Sequence, residues 1–120
     1  MLDIEARFAL FANALRTALV GKGNPYIVTI EELATTNIPT LVSVNASLGR
    51  NAHYGYVKAH SANPGPVRIA FSHDGQSWSG YLDELLPGES ISVDAMDIHS
   101  LRLLVGTIGQ AGNDVLIGVW

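Results

Sequence analysis

Cysteine is absent from the chain, and charged residues are few. With no cysteine among 120 residues, disulfides, thiolate metal sites and cysteine nucleophiles are excluded. Charged residues make up 15% of the sequence, against about 25% in a typical domain. Seven Lys and Arg are spread along a chain with a formal net charge of −4. Because no basic stripe is available to neutralise phosphates, we expect no binding to nucleic acid.

Long hydrophobic runs are also absent. The sequence has no stretch of about 20 uncharged apolar residues, so we expect no transmembrane helix. The N-terminal stretch is apolar, but it carries Asp3, Glu5, Arg7 and Arg16. It lacks the basic start and the long hydrophobic centre of a signal peptide. We therefore expect neither a membrane partner nor a cleaved leader.

Apolar residues are what the chain has in excess. Hydrophobic residues make up 48% of the sequence, and the length fits one domain. A domain of this size has too little interior to hide so much apolar surface by itself. The surplus therefore predicts contacts with other protein subunits.

An N-terminal amphipathic helix is predicted over residues 3–20, which contain no glycine or proline. Apolar side chains recur there at spacings of three and four, which places them on one stripe of a helix. These are Ile4, Phe8, Phe11, Leu15 and Leu19. Leu2 and Leu10 lie off the stripe, so Leu10 is either unused or touches a partner. We expect residues 1–23 to form this helix and its linker.

Residues 24–120 have the alternating hydrophobic pattern of β-strands, with Gly, Pro, Asn and Asp in the turns between them. About eight short antiparallel strands without intervening helices predict a mainly β fold, a β-sandwich or jelly roll. The predicted strands cover residues 26–30, 40–45, 52–59, 66–72, 77–85, 89–96, 100–107 and 114–120.

A string of the form S-x-D-G-x-x-W marks the predicted turn between two of these strands. It contains Ser72, Asp74, Gly75 and Trp78, and Asp-Gly between strands is a strong hairpin signal. The string resembles the Asp-box hairpin of sialidase-type propellers, with one residue fewer, and a hairpin of discoidin-type galactose-binding-like sandwiches. In both families the motif is largely structural, so the resemblance implies a structural hairpin.

Catalytic and metal sites are not indicated by the sequence. The histidines are scattered and form no H-x-x-x-H or H-E-x-x-H pair. Ser72, His73 and Asp74 are adjacent, so they cannot point at one another as a catalytic triad requires. We expect no catalytic residues, no metal site and no cofactor. Tyr54 and Tyr56 share one strand face, where they can pack in the core, against a partner or on a sugar.

The second half of the chain is similar to small structural proteins of tailed-bacteriophage particles. The similarity lies in a D-G hairpin and in four later segments. These are Leu86-Pro87-Gly88-Glu89-Ser90, the strand from Leu101 to Gly106, the turn Ala111-Gly112, and the strand from Val115 to Trp120. The resemblance implies a non-enzymatic β-sandwich that decorates or cements an icosahedral head, often as an oligomer. The N-terminal helix is not a fixed part of that pattern.

These observations predict a capsid decoration protein on the virion surface, bound to the major capsid protein and oligomeric, with a trimer favoured. The expected partner-interface residues are Leu2, Phe8, Leu10, Phe11, Leu15, Tyr54, Tyr56 and Trp120. The alternative is a carbohydrate-binding module of the galactose-binding-like type. It predicts exposed aromatic side chains near Trp78 or at Tyr54 and Tyr56.

Overall fold

The computed structural model describes residues 25–81 and 84–120. These residues form seven β-strands and one short helix. In chain order the elements are β1 (Tyr26–Ile30), β2 (Thr40–Ser43), α1 (Val44–Leu48), β3 (Gly55–Ala59), β4 (Val67–Ser72), β5 (Ser90–Val93), β6 (Ser100–Val105) and β7 (Val115–Val119).

The strands form two antiparallel sheets. A four-stranded sheet has the order β1-β7-β3-β5, and a three-stranded sheet has the order β2-β6-β4. Successive strands along the chain therefore alternate between the two sheets. Every pair of neighbouring strands is antiparallel.

A single hydrophobic core is built from the inward faces of both sheets. Alternate residues on each strand point to one face, and the buried ones form one cluster. The four-stranded sheet contributes residues such as Val57 and Ile117, and the three-stranded sheet contributes Ile69, Leu101 and Leu103, all almost fully buried. The mainly β fold with two antiparallel sheets is thus as the sequence predicted, and a shared core is the arrangement of a sandwich.

One of the eight predicted strands, over residues 77–85, is not a continuous strand in the described part of the chain. The described residues of this segment form two isolated β-bridges with β4, Trp78 with Ser72 and Leu85 with Val67. Seven residue steps separate the bridge residues on this segment, but only five separate them on β4. Because of this mismatch, the segment and β4 cannot stay in one register from the first bridge to the second. The side chain of Ser79 also accepts a hydrogen bond from the Phe71 amide.

Six of the other seven predicted strands are also shorter than expected, and the largest difference is in β5, which was predicted over residues 89–96 and covers Ser90–Val93. The local cause is clear for β2 and β3. β2 ends at Ser43, whose hydroxyl accepts a hydrogen bond from Ala46 N and caps α1, a helix that the sequence did not predict. β3 begins at Gly55, three residues later than predicted, because the amides of His53 and Tyr54 both donate to the Trp120 carbonyl. The predicted N-terminal helix lies outside the described residues and stays a prediction.

Candidate functional site

The S-x-D-G-x-x-W string forms a turn that is closed by its own side chains. Asp74 Oδ1 accepts hydrogen bonds from the Ser77 amide at 2.7 Å, the Gln76 amide at 2.8 Å and the Ser72 hydroxyl at 3.1 Å. Ser72 Oγ in turn accepts from the Gly75 amide at 2.8 Å. These bonds use the donors that a tight turn leaves without strand partners.

The charge of Asp74 is strongly favoured by this arrangement. The Ser77 and Gln76 amides, helped by the Ser72 hydroxyl and the nearby His73, hold the pKa of the Asp74 carboxyl well below its usual range. The main cause is hydrogen bonding to the ionised form. Asp74 is therefore ionised at neutral pH and acts as a charged turn residue rather than a proton donor.

The turn is packed against β6 and the residue before it. Gly75 has a φ of +80°, and a side-chain carbon there would lie 2.9 Å from the ring of His99, which precedes β6. The guanidinium of Arg102 on β6 lies 4.0 Å from the centre of the Trp78 ring, a cation–π contact. His99 and Arg102 thus fix the turn and its tryptophan in place.

A shallow groove of about 370 Å³ opens beside this hairpin. One wall is the hairpin itself and the other is the segment 96–98, while the buried side chains of Phe71 and Ile98 lie at the groove surface. The other lining residues are Ser72, His73, Ser77, Trp78, Ser79, Met96 and Asp97.

The outer face of the four-stranded sheet, the face turned away from the core, carries exposed apolar side chains. Ile27 on β1 is 71% exposed, and Tyr56 on β3 is 39% exposed. Both are paired with Gly118 on the strand between them. A side-chain carbon at Gly118 would meet the Tyr56 ring at 2.6 Å, so this ring lies over the glycine. We call Ile27, Tyr56 and Gly118 the outer apolar row.

Of the other residues expected at an interface, the structure describes Tyr54 and Trp120. Tyr54 is 46% exposed, and its backbone pairs with that of Trp120, which is half-buried, close to the outer apolar row. Leu2, Phe8, Leu10, Phe11 and Leu15 lie outside the described residues.

Within residues 25–81 and 84–120, no group of three or more His, Asp or Glu side chains is placed to hold a metal ion. Among the same residues, no helix has the length and hydrophobicity needed to span a membrane.

Three residues at the site were missed by sequence reasoning. Asn51 donates from its side-chain amide to the His73 carbonyl and to Asp97 Oδ1, both at 2.9 Å. His99 and Arg102 hold the turn and Trp78. Each is more than 20 residues from its partner in sequence, and none belongs to the turn motif. A weak signal for Arg102 was its place among apolar residues on a predicted strand.

We expect Asp74→Ala to lower the melting temperature, because three donors in the turn lose their acceptor. Asp74→Asn should lower it less, since an amide oxygen can still accept. The folded-state pKa is depressed, so the stabilisation is present above about pH 4 and is lost as the pH falls further. Thermal melts from about pH 7 down to about pH 2 should therefore show the wild type approaching Asp74→Ala.

The matched control for this experiment is Asp94→Ala, which removes an exposed carboxylate elsewhere on the surface. It should melt close to the wild type at neutral pH. A gap between wild type and Asp74→Ala that stays constant with pH would show that the ionised carboxylate is not the stabilising group.

No protein-family model matches the chain, and no curated protein matches it.

Proposed function

We propose that this protein is a non-enzymatic structural protein of a tailed-bacteriophage virion, of the head decoration or cement type. The observation that carries the proposal is the outer apolar row on the four-stranded sheet. Ile27 and Tyr56 lie in one cross-strand row there, and Tyr54 is exposed nearby. Clustered exposed apolar side chains of this kind favour a contact with another protein.

The proposed partner is the major capsid protein, and the proposed location is the capsid surface. A cement protein works by binding energy: it buries apolar area across the joints between capsid subunits and raises the free energy needed to separate them. Repeated copies strengthen weak contacts through avidity. We also propose that the protein is a homo-oligomer, with a trimer favoured, which fits the symmetry of closed assemblies.

The fold supports this proposal, and we propose that the sandwich is a jelly roll. Counting the interrupted segment beside β4 as a fourth strand of the smaller sheet gives two sheets of four strands. All connections then cross between the sheets except the hairpin that contains Asp74. This arrangement is compatible with a jelly roll, an architecture found in capsid domains.

The segment that carries part of the phage resemblance has a defined structural role. In Leu86-Pro87-Gly88-Glu89-Ser90, Glu89 Oε1 accepts from the Leu86 amide at 2.7 Å, and the Glu89 amide donates to the Leu86 carbonyl. The Gly88 amide donates to the Ala59 carbonyl at the end of β3. The segment is thus a tight turn that leads the chain into β5 and holds it beside β3.

The outer apolar row can be tested with the double variant Ile27→Asp/Tyr56→Ser. We expect the wild-type protein to sediment as an oligomer at micromolar concentration and to co-sediment with capsids of the virus whose genome encodes it. The double variant should lose one or both properties. Each large apolar side chain removed from such a contact costs about 1.5–3 kcal/mol of binding free energy.

The control is Thr29→Asp, which places the same charge on the same strand face at an exposed position two residues along. It should retain oligomerisation and capsid binding better than the double variant. A wild-type mass of 12.8 kDa at all concentrations, together with no co-sedimentation with capsids, would contradict the proposed function. Circular dichroism must show that both variants keep their strand content.

A further inference from the structure

The groove beside the hairpin is held at a fixed width by one side chain. The amide nitrogen of Asn51 donates to the His73 carbonyl on the hairpin wall and to Asp97 Oδ1 on the opposite wall. Asn51 Oδ1 accepts from Asn45 Nδ2 at 2.9 Å, which fixes the orientation of the amide. The two walls are therefore joined by hydrogen bonds at one end of the groove, so the space between them is defined before any ligand enters.

Trp78 is also held in place. Its backbone bridges to Ser72, and its ring is in contact with the Arg102 guanidinium. One face of the indole is covered by this guanidinium, and the partly buried Trp78 also lines the groove. An aromatic surface held in one orientation loses little conformational entropy when a ligand binds to it.

The groove combines this apolar surface with polar groups at its rim. Phe71, Ile98, Met96 and Trp78 supply the apolar lining. His73, Ser77 and Asp97 are exposed along the edge and offer hydroxyl, imidazole and carboxylate groups. The volume of about 370 Å³ falls at the lower end of the range for small-molecule sites, which is about 300–1,000 Å³.

We propose that this groove binds one or two units of a neutral saccharide. A sugar ring has an apolar C–H face that packs on an indole and hydroxyl groups around its edge. Those hydroxyls can donate to the Asp97 carboxylate and exchange hydrogen bonds with Ser77 and His73. An anionic ligand is disfavoured because Asp97 lines the groove and Asp74, which is ionised at neutral pH, follows His73 on the hairpin. A purely apolar ligand would leave the rim groups without partners.

This proposal is independent of the capsid role, because the groove and the outer apolar row lie on different sheets. Of the turn-motif residues, only Trp78 is a proposed binding group. Ser72 and the Oδ1 atom of Asp74 are already engaged within the hairpin. The other binding groups are Ser77 and His73 on the hairpin wall and Asp97 on the opposite wall.

The test uses the full-length protein and the methyl glycosides of D-galactose, D-glucose and N-acetyl-D-glucosamine, each added up to about 50 mM because single-sugar affinities are weak. Binding is followed by backbone amide NMR shifts. We expect at least one sugar to give saturable shifts that are largest at residues 73, 77–79 and 96–98. Ser77→Trp, which fills the groove, should abolish them, and Asp97→Asn should weaken binding about tenfold.

Matched controls separate groove binding from general effects. Gln76→Trp adds the same bulk at the neighbouring exposed turn position, and Asp94→Asn removes a charge outside the groove lining. Both should bind the sugar as the wild type does. The proposal is overturned if no sugar gives saturable shifts, or if Ser77→Trp binds normally. It is also overturned if the shifts centre on Tyr54 and Tyr56, because the sugar would then occupy the outer face of the four-stranded sheet.

Discussion

Gly55→Ala is expected to destabilise the protein by about 3 kcal/mol or more, with loss of folding as the extreme outcome. Gly55 has a φ of +134°, a backbone conformation that side chains rarely adopt. A side-chain carbon at this position would also clash with the Gly118 carbonyl oxygen and lie 2.7 Å from Val119 Cα. Both atoms belong to the backbone of the central strand β7, so neither can move without breaking strand pairing.

The expected change can be measured by urea denaturation followed by tryptophan fluorescence. Gly80→Ala is the matched control, because a side-chain carbon there meets no atom within 4 Å. It should change the free energy of unfolding by less than about 0.5 kcal/mol. If Gly55→Ala proved as stable as Gly80→Ala, the close approach of β3 to β7 at this point would be wrong.

Ile117→Ala is expected to cost about 3–4 kcal/mol of unfolding free energy. Ile117 is fully buried on the inner face of β7, where it is paired with Val28 and Val57. Truncation leaves a cavity in the shared core, because strands on both sides prevent the sheet from collapsing into it. Ile117→Val, which removes one methylene, should cost about 0.5–1.5 kcal/mol.

The neighbouring residue provides the control for this substitution. Leu116 has the same number of side-chain carbons, but it lies on the outer face of the same strand and is only partly buried. Leu116→Ala should be clearly milder than Ile117→Ala in the same denaturation experiment. Equal costs would mean that β7 does not have one face in the core and one outside, which would contradict a hydrophobic core shared by the two sheets.

The sequence predicted the strands well where alternation was undisturbed. The pattern Ile91 and Val93 against Ser90 and Ser92 located β5, because the first pair is partly or fully buried and the second is exposed. The strand is shorter than the predicted 89–96, since it ends at Val93, two residues before Ala95 with its φ of +51°. The prediction of a strand over residues 77–85 was wrong. The residue types of this segment favour strands, yet the register of its two bridges to β4 differs by two residues. Such a mismatch depends on the partner strand, and local residue preferences carry no information about it.

The candidate site was predicted only in part, because sequence patterns report local preferences and not contacts between distant segments. Asp74-Gly75 identified the turn because the side chain and backbone preferences that close it are local. The groove depends on Asn51 and on the segment 96–98, which reach the hairpin only through the fold. The exposed apolar surface at Ile27 was also missed, since alternation alone does not say which sheet face a neighbouring layer will cover.

The alternation of successive strands between the two sheets has a consequence for folding during synthesis. β7, the last strand in chain order, lies between β1 and β3 in its sheet. The roughly 60 residues that separate β3 from β7 take about 3–12 s to translate. Until then β1 and β3 have no partner between them, and their unpaired edges are open to wrong pairing with other chains. We therefore expect slow folding with high contact order, and a yield of native protein that depends on chaperones and on slow expression at low temperature.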